Sequence, residues 1–152
     1  MKKFLSSLLA LTMILSLVII PAQATNGYSV TGDGFSITGT GVTDNAVTLT
    51  KGTDPSKNSI QLSVSDAGLG LQKDAVGATV ASPINGATAS YSWTVSGNAV
   101  TKGATNGSSI TLTADKKSTT PVTVYCTITM TGTDSGTEVS ASKRSTNTIS
   151  VS

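Results

Sequence analysis

The single cysteine of the chain, Cys126, lies in the run VTVYCTITM, and its chemistry depends on what surrounds it. No second cysteine exists to close an internal disulfide. A reactive thiol needs a nearby cation or helix end to lower its pKa, and no window of the chain has apolar residues at helical spacing. Side chains alternate along a strand, so Cys126 shares a face with Val124 and Ile128. The pattern favours a buried thiol that packs as a small apolar residue.

The absence of histidine narrows the chemistry further. It excludes Ser-His-Asp triads, histidine acid–base catalysis and most zinc sites. A hydrolase that uses only carboxylates is an alternative, but the acids are scattered through turn sequences. Asp134, Ser135, Thr137 and Glu138 could offer oxygens to calcium, although turns favour aspartate for conformational reasons. We therefore expect no enzyme activity, no catalytic residue, no cofactor and no metal.

The first 24 residues have the three parts of a secretory signal peptide. Lys2 and Lys3 give a basic start, an apolar run extends over 4–20, and Ala22-Gln23-Ala24 is a cleavage motif. A membrane anchor is the alternative, but the apolar run is short against the roughly 20 residues that span a bilayer. We predict cleavage after Ala24, which makes the mature protein secreted and leaves it without a membrane segment.

The composition after cleavage is typical of a neutral binding or structural domain. Roughly a third of residues 25–152 are Ser or Thr, far above ordinary usage. The precursor has ten basic and eight acidic residues, and removal of Lys2 and Lys3 leaves eight of each. A neutral chain of this kind has no basic surface for nucleic acid or an anionic membrane. Its length suits one domain.

The sequence predicts that these residues lie on a series of short β-strands. Alternating β-formers are separated by Gly, Asn, Asp and Pro, which predicts an all-β antiparallel two-sheet sandwich. In VTVYCTITM the apolar residues face one side and threonines the other, so threonine serves a wet sheet face and needs no catalytic role. The predicted strands are Phe35–Thr38, Ala46–Thr50, Ser59–Ser65, Gly77–Ser82, Ser90–Val95, Ser109–Ala114, Val122–Thr131 and Glu138–Val151.

The stretch 57–152 resembles a bacterial immunoglobulin-like domain of the secreted or cell-surface type. The resemblance rests on Val80 in GATVAS, Trp93 in YSWTVSGN, Leu112 in SSITLTA and Cys126 in VTVYCTIT. It implies an inward residue on the second strand, a core tryptophan on the third and a cysteine on the penultimate strand. The second cysteine of the family is missing, and Val80 is the expected occupant of its place, so the domain lacks the intra-domain disulfide.

We therefore predict a three-part organisation. A signal peptide occupies 1–24, a Gly/Thr-rich leader or pair of edge strands occupies 25–56, and the Ig-like sandwich occupies 57–152, which we expect to fold without the leader. The predicted structural core comprises Val80, Trp93, Leu112, Val124, Cys126 and Ile128. Some bacterial Ig-like domains carry Lys–Asn isopeptide crosslinks, for which Lys57 and Asn147 are the candidates, but no carboxylate lies within an apolar strand to promote one.

The functional expectation is a secreted, non-enzymatic Ig-like module with a structural or adhesive role, whose partner is an extracellular protein. The alternative is a carbohydrate-binding module that recognises extracellular polysaccharide. Three aromatic residues could stack on sugars: Tyr28, Phe35 and Tyr125, with a core position as the alternative for Phe35.

Overall fold

The computed structural model describes residues 27–152, so the predicted signal peptide at 1–24 lies outside the described residues. The described part is all-β apart from one helical turn, which begins after the Asp54 N-cap at a proline. Its elements are β1 (Tyr28–Thr31), β2 (Ala46–Leu49), α1 (Pro55–Asn58), β3 (Ser59–Ser63), β4 (Gly70–Lys73), β5 (Ser82–Ile84), β6 (Thr88–Ser96), β7 (Val100–Lys102), β8 (Ser109–Ala114), β9 (Ser118–Asp134) and β10 (Thr137–Val151).

The largest sheet has the order β2-β10-β9-β6. Its centre is the long β9–β10 hairpin, closed by Ser135 and Gly136 with φ of 52° and 83°. Two consecutive residues with positive φ define the type I′ turn, whose twist matches that of the paired strands. This tight turn fixes the register of the hairpin, so Cys126 lies opposite Ser145 and Thr127 opposite Arg144.

Two three-stranded sheets, β1-β4-β5 and β3-β8-β7, accompany the four-stranded sheet. Gly132 of β9 shows how close β1-β4-β5 lies. A Cβ built there would approach Ile84 Cγ2 to 2.8 Å and Leu71 Cδ2 to 3.3 Å, so any larger residue would force the Ile84 side chain to shift. The arrangement is sandwich-like, because side chains from all three sheets form one buried cluster.

Alternate residues of β9 belong to the same buried cluster as residues of β6 and β8. Trp93 is 3% exposed and lies opposite Cys126 in the β6–β9 ladder. Its indole N–H donates to the Gly107 carbonyl at 2.8 Å, which satisfies the one polar group of a buried indole. The predicted core residues Trp93, Leu112, Val124, Cys126 and Ile128 are all buried.

Val80 is the exception among the predicted core residues, and its assignment was wrong. It is 79% exposed, and the predicted strand Gly77–Ser82 is instead a turn closed by a bridge between Val76 and Thr79. Gly77 has φ +60°, a turn conformation that interrupts the strand. Leu62 of β3, in contrast, is fully buried.

The expected antiparallel two-sheet sandwich is found only in its all-β character. The strands form three sheets, and β2 runs parallel to β10 with Ala46 opposite Thr148 and Leu49 opposite Val151. The parallel pair arises because β2 is brought alongside the last strand of the chain, across more than ninety residues, rather than paired through a hairpin.

The N-terminal segment is integrated with the rest of the fold. Phe35, Ile37 and Leu49 are buried in the same cluster as Trp93. Strand β1 pairs with β4, and Thr38 exchanges both backbone hydrogen bonds with Ser63 at 2.8 and 2.9 Å. The packing therefore continues across residue 57.

Candidate binding surface

The thiol of Cys126 is fully buried, and burial raises its pKa to about 12. Desolvation disfavours the thiolate, which is the nucleophilic form. The geometry therefore gives Cys126 a packing role between Trp93 and Ser145, its neighbours across the two ladders.

Asn147 lies on the same inward side of the sheet and is fully buried. Within residues 27–152, neither its amide nitrogen nor its amide oxygen has a hydrogen-bond partner. Such a group loses its hydration without compensation. The isopeptide partner considered for it, Lys57, lies on the surface with its side chain 70% exposed and 3.7 Å from Asp54.

The outward side of the four-stranded sheet carries a regular array of hydroxyl groups. Its residues are exposed or half-buried, and all except Ala46, Tyr125, Glu138 and Arg144 are Ser or Thr. We call this surface the hydroxyl face. It comprises Ala46, Thr48, Thr88, Ser90, Ser92, Thr94, Ser96, Thr123, Tyr125, Thr127, Thr129, Thr131, Thr133, Glu138, Ser140, Ser142, Arg144, Thr146, Thr148 and Ser150.

The strand register arranges these hydroxyls in rows. Ser90, Thr129 and Ser142 lie side by side on β6, β9 and β10. The Thr129 and Ser142 hydroxyl oxygens are 2.8 Å apart, a hydrogen-bond distance. Neighbouring strands are about 4.8 Å apart and successive outward residues on a strand about 7 Å apart, so the face presents closely spaced donors and acceptors over a broad surface.

Tyr125 and Arg144 interrupt the array near its centre. They are diagonal neighbours, because Arg144 pairs with Thr127, two residues beyond Tyr125. The Arg144 guanidinium carbon lies 4.9 Å from the Tyr125 ring centroid, within cation–π range. Arg144 is exposed and Tyr125 is half-buried, so the outermost group at this position is the guanidinium.

Asp134, a candidate calcium ligand in the sequence, is already paired with protein groups. Its carboxylate accepts from Lys73 Nζ at 2.8 Å, from the Tyr28 hydroxyl at 2.7 Å and from the Ser135 hydroxyl at 3.1 Å. The hydrogen bond from Lys73, followed by those from Tyr28 and Ser135, lowers the pKa of Asp134 to about 2. The cluster joins β1 and β4 to the end of β9, which is a structural role. Within residues 27–152 no group of three or more metal-ligating side chains is found.

A shallow groove runs beside β2 and β3 on another part of the surface. It has a volume of about 460 Å³ and is lined partly by Thr40, Thr48, Thr50, Ser56 and Lys57, above buried Leu49 and Ile60. The residues that line it include no aromatic ring, and its cation, Lys57, is already beside Asp54. The groove therefore has no equivalent of the Tyr125–Arg144 pair on the hydroxyl face.

Of the three aromatic residues considered for sugar stacking, the structure places only Tyr125 on the hydroxyl face. Phe35 is in the core, and Tyr28 is held by Asp134. The pairing of Tyr125 with Arg144 was missed by the sequence analysis. The Asp134-Ser135-Gly136 turn could have predicted it. In a hairpin closed by two residues, positions equally far from the turn pair with each other, so Thr127 lies opposite Arg144 and Tyr125 is its diagonal neighbour.

Comparison of the chain with protein-family models, curated proteins and solved structures gives no match in any of the three. No helix within residues 27–152 has the length and apolarity to cross a membrane.

Proposed function

We propose that this protein is a secreted, non-enzymatic adhesive module that binds an extracellular polymer through the hydroxyl face. The observation that carries the proposal is the broad outward array of Ser and Thr side chains on four adjacent strands, with Tyr125 and Arg144 near its centre. The signal sequence at 1–24 supports export.

The fold that we propose for this module is Ig-like. In an Ig sandwich one sheet contains strands C, F and G and the other contains B, E and D. The order β6-β9-β10 and the order β3-β8-β7 correspond to these two sets, both in space and along the chain. The segment 64–87, with β4 and β5, is then an insertion between the second and third strands, paired with β1.

The chemistry of the hydroxyl face favours polysaccharide over protein as the polymer. Protein interfaces are rich in aromatic residues, Met and Arg at their core and poor in Ser, whereas this face is mostly Ser and Thr. Each hydroxyl both donates and accepts a hydrogen bond, which matches the hydroxyl groups of a sugar chain. Four paired strands also give an extended chain a continuous surface to contact.

A protein partner is the second candidate, and Tyr125 and Arg144 favour it. Tyrosine and arginine are enriched among the residues that dominate protein-binding energies. In this form of the proposal the surrounding hydroxyls would serve as the polar rim of the interface.

The test is binding of the mature chain to an array of extracellular polysaccharides, with Thr127→Glu as the blocking variant. A carboxylate at position 127 would lie opposite Arg144 and lose its hydration beneath a bound polymer, so we expect binding to weaken about tenfold or more. Thr101→Glu on β7 is the matched control, because Thr101 is exposed on a different sheet. The fluorescence of Trp93 checks that both variants fold.

Polysaccharide binding that Thr127→Glu abolishes and Thr101→Glu leaves intact supports the proposal. Binding that survives Thr127→Glu would move the site off the hydroxyl face and overturn it. Absence of polysaccharide binding, with capture of a defined extracellular protein that is sensitive to Thr127→Glu, would establish the second candidate instead.

A further inference from the structure

Within residues 27–152, Arg144 forms no ion pair with a carboxylate, because the ion pairs there are Lys57–Asp54 and Lys73–Asp134. The acid on the hydroxyl face is Glu138, six residues away along the same strand, which corresponds to about 20 Å. That separation exceeds the Debye length of about 8 Å at physiological ionic strength, so the charge of Arg144 is available to a ligand.

The position of Arg144 over Tyr125 also restricts a long and flexible side chain. Holding the guanidinium over the ring reduces the conformational entropy lost when a ligand binds. A guanidinium presents donors in a fixed planar arrangement that a carboxylate accepts with both oxygens. The contact with Tyr125 therefore prepares Arg144 for a planar anion.

The surroundings of Arg144 define the rest of the ligand. Thr127 and Ser92 continue its row across the sheet, and Thr146 and Thr94 flank Tyr125 in the next row. A ligand that matches this pattern carries a carboxylate among many hydroxyl groups. That combination is the chemistry of a uronic acid unit within a polysaccharide.

We propose that Arg144, positioned by Tyr125, is the carboxylate-binding subsite for an acidic polysaccharide built from uronic acids. The inference rests on the proposed function, because it places the ligand on the hydroxyl face, and it adds the charge and class of the sugar. The neighbouring Ser and Thr hydroxyls bind the hydroxyl groups of the same chain.

The experiment compares polygalacturonate with its methyl ester, in which the same sugar has its carboxylates blocked. The mature protein is expected to bind polygalacturonate at least about tenfold more tightly than the ester, as charge-assisted bidentate hydrogen bonds are lost on esterification. Arg144→Gln should remove this difference, and added salt should reduce it. Lys102→Gln, an identical charge change on the exposed part of β7, should leave it intact.

Equal binding of polygalacturonate and its ester, unaffected by Arg144→Gln but lost in Thr127→Glu, would overturn the acidic subsite and leave the proposed function standing. If Arg144→Gln and Lys102→Gln reduce the preference for polygalacturonate over its ester equally, that preference is a general attraction between charges. This outcome would also overturn the subsite. If the protein binds dextran sulfate through Arg144 as tightly as polygalacturonate, Arg144 does not select carboxylate over sulfate, and the uronic acid assignment is overturned. Absence of binding to every polysaccharide, neutral or acidic, would overturn the proposed function together with the inference.

Discussion

At the scale of single residues, Asn147 is the clearest departure from an apolar core. Its buried amide has no hydrogen-bond partner within the described chain, and an unsatisfied buried polar group costs about 1 to 3 kcal/mol. Asn147→Val should therefore raise the free energy of unfolding by about 1 kcal/mol, since valine also suits a strand. Urea unfolding followed by Trp93 fluorescence measures the change.

The matched variant is Asn147→Asp, which has nearly the same shape. It would bury a carboxylate without a partner and should destabilise the fold by more than Asn147→Val stabilises it. Equal stability of the Val and Asp variants would show that position 147 reaches water.

Cys126 provides a second prediction at this scale. Because its thiol is buried and its pKa is raised to about 12, labelling by a thiol reagent should be slow in the folded protein and fast in denaturant. Cys126→Ser should destabilise the fold more than Cys126→Ala, because the serine hydroxyl would be buried beside Val124 and Ile128, at a cost of about 1 to 3 kcal/mol. Rapid labelling of the native protein would contradict this assignment.

At the scale of elements, the cluster at Asp134 attaches β1 to the hairpin. The pKa of Asp134 is lowered from 3.8 to about 2, so the cluster's contribution to stability is complete above about pH 4 and lost as the pH falls through 2. An NMR titration of the Asp134 carboxyl should show a midpoint near pH 2. The midpoint should rise in Tyr28→Phe and rise further in Lys73→Met, because the hydrogen bond from Lys73 is the larger cause. An unchanged midpoint in both variants would exclude the cluster as the origin of the shift.

The N-terminal strands provide the second prediction for elements. Phe35, Ile37 and Leu49 are buried, and each such side chain contributes about 1.5 to 3 kcal/mol. The three together are comparable to the whole net stability of a domain, about 5 to 15 kcal/mol. We therefore expect a chain that begins at Lys57 to lose its cooperative urea transition, whereas the sequence alone predicted that 57–152 would fold independently. A transition of unchanged midpoint would restore the original boundary.

The elements also show what the sequence could predict. Strand β8 has the predicted bounds, and β9 contains the predicted run, because both alternate strictly between apolar and polar residues. Strand β4 was missed because Gly68-Leu69-Gly70 is typical of a turn, and its pairing with β1 is a long-range contact. GATVAS was assigned as a strand with Val80 facing inward by resemblance to the Ig-like family, but Gly77 adopts a turn conformation and Val80 is exposed.

At the scale of the whole molecule, the proposal requires export of the chain. Cleavage after Ala24 should give a secreted species that begins at Thr25, which intact-mass measurement of the culture medium would detect. The same measurement gives the state of Cys126, because a disulfide-linked dimer would double the mass. A membrane-bound species that retains Met1 would make the protein an anchored one.

The candidate binding surface is a property of the assembled four-stranded sheet. In the sequence, neither the solvent-facing residues of β9 nor Arg144 alone indicates a binding surface. The surface emerges only when β6, β9, β10 and β2 come together and align their outward residues. The sequence therefore predicted threonine on a solvated face but could not predict that the faces of four strands would join, because strand order is set by contacts between distant parts of the chain.

The parallel arrangement of β2 and β10 has a mechanical consequence. Their ladder runs from Ala46 opposite Thr148 to Leu49 opposite Val151, with hydrogen bonds that lie across the direction of the strands. Tension that pulls β2 back along the chain and draws Ser152 the opposite way would slide the two strands past each other. The hydrogen bonds of the ladder would then be loaded simultaneously, instead of breaking one after another. Force applied in these two directions would therefore have to break several backbone hydrogen bonds at once before β2 separates from β10.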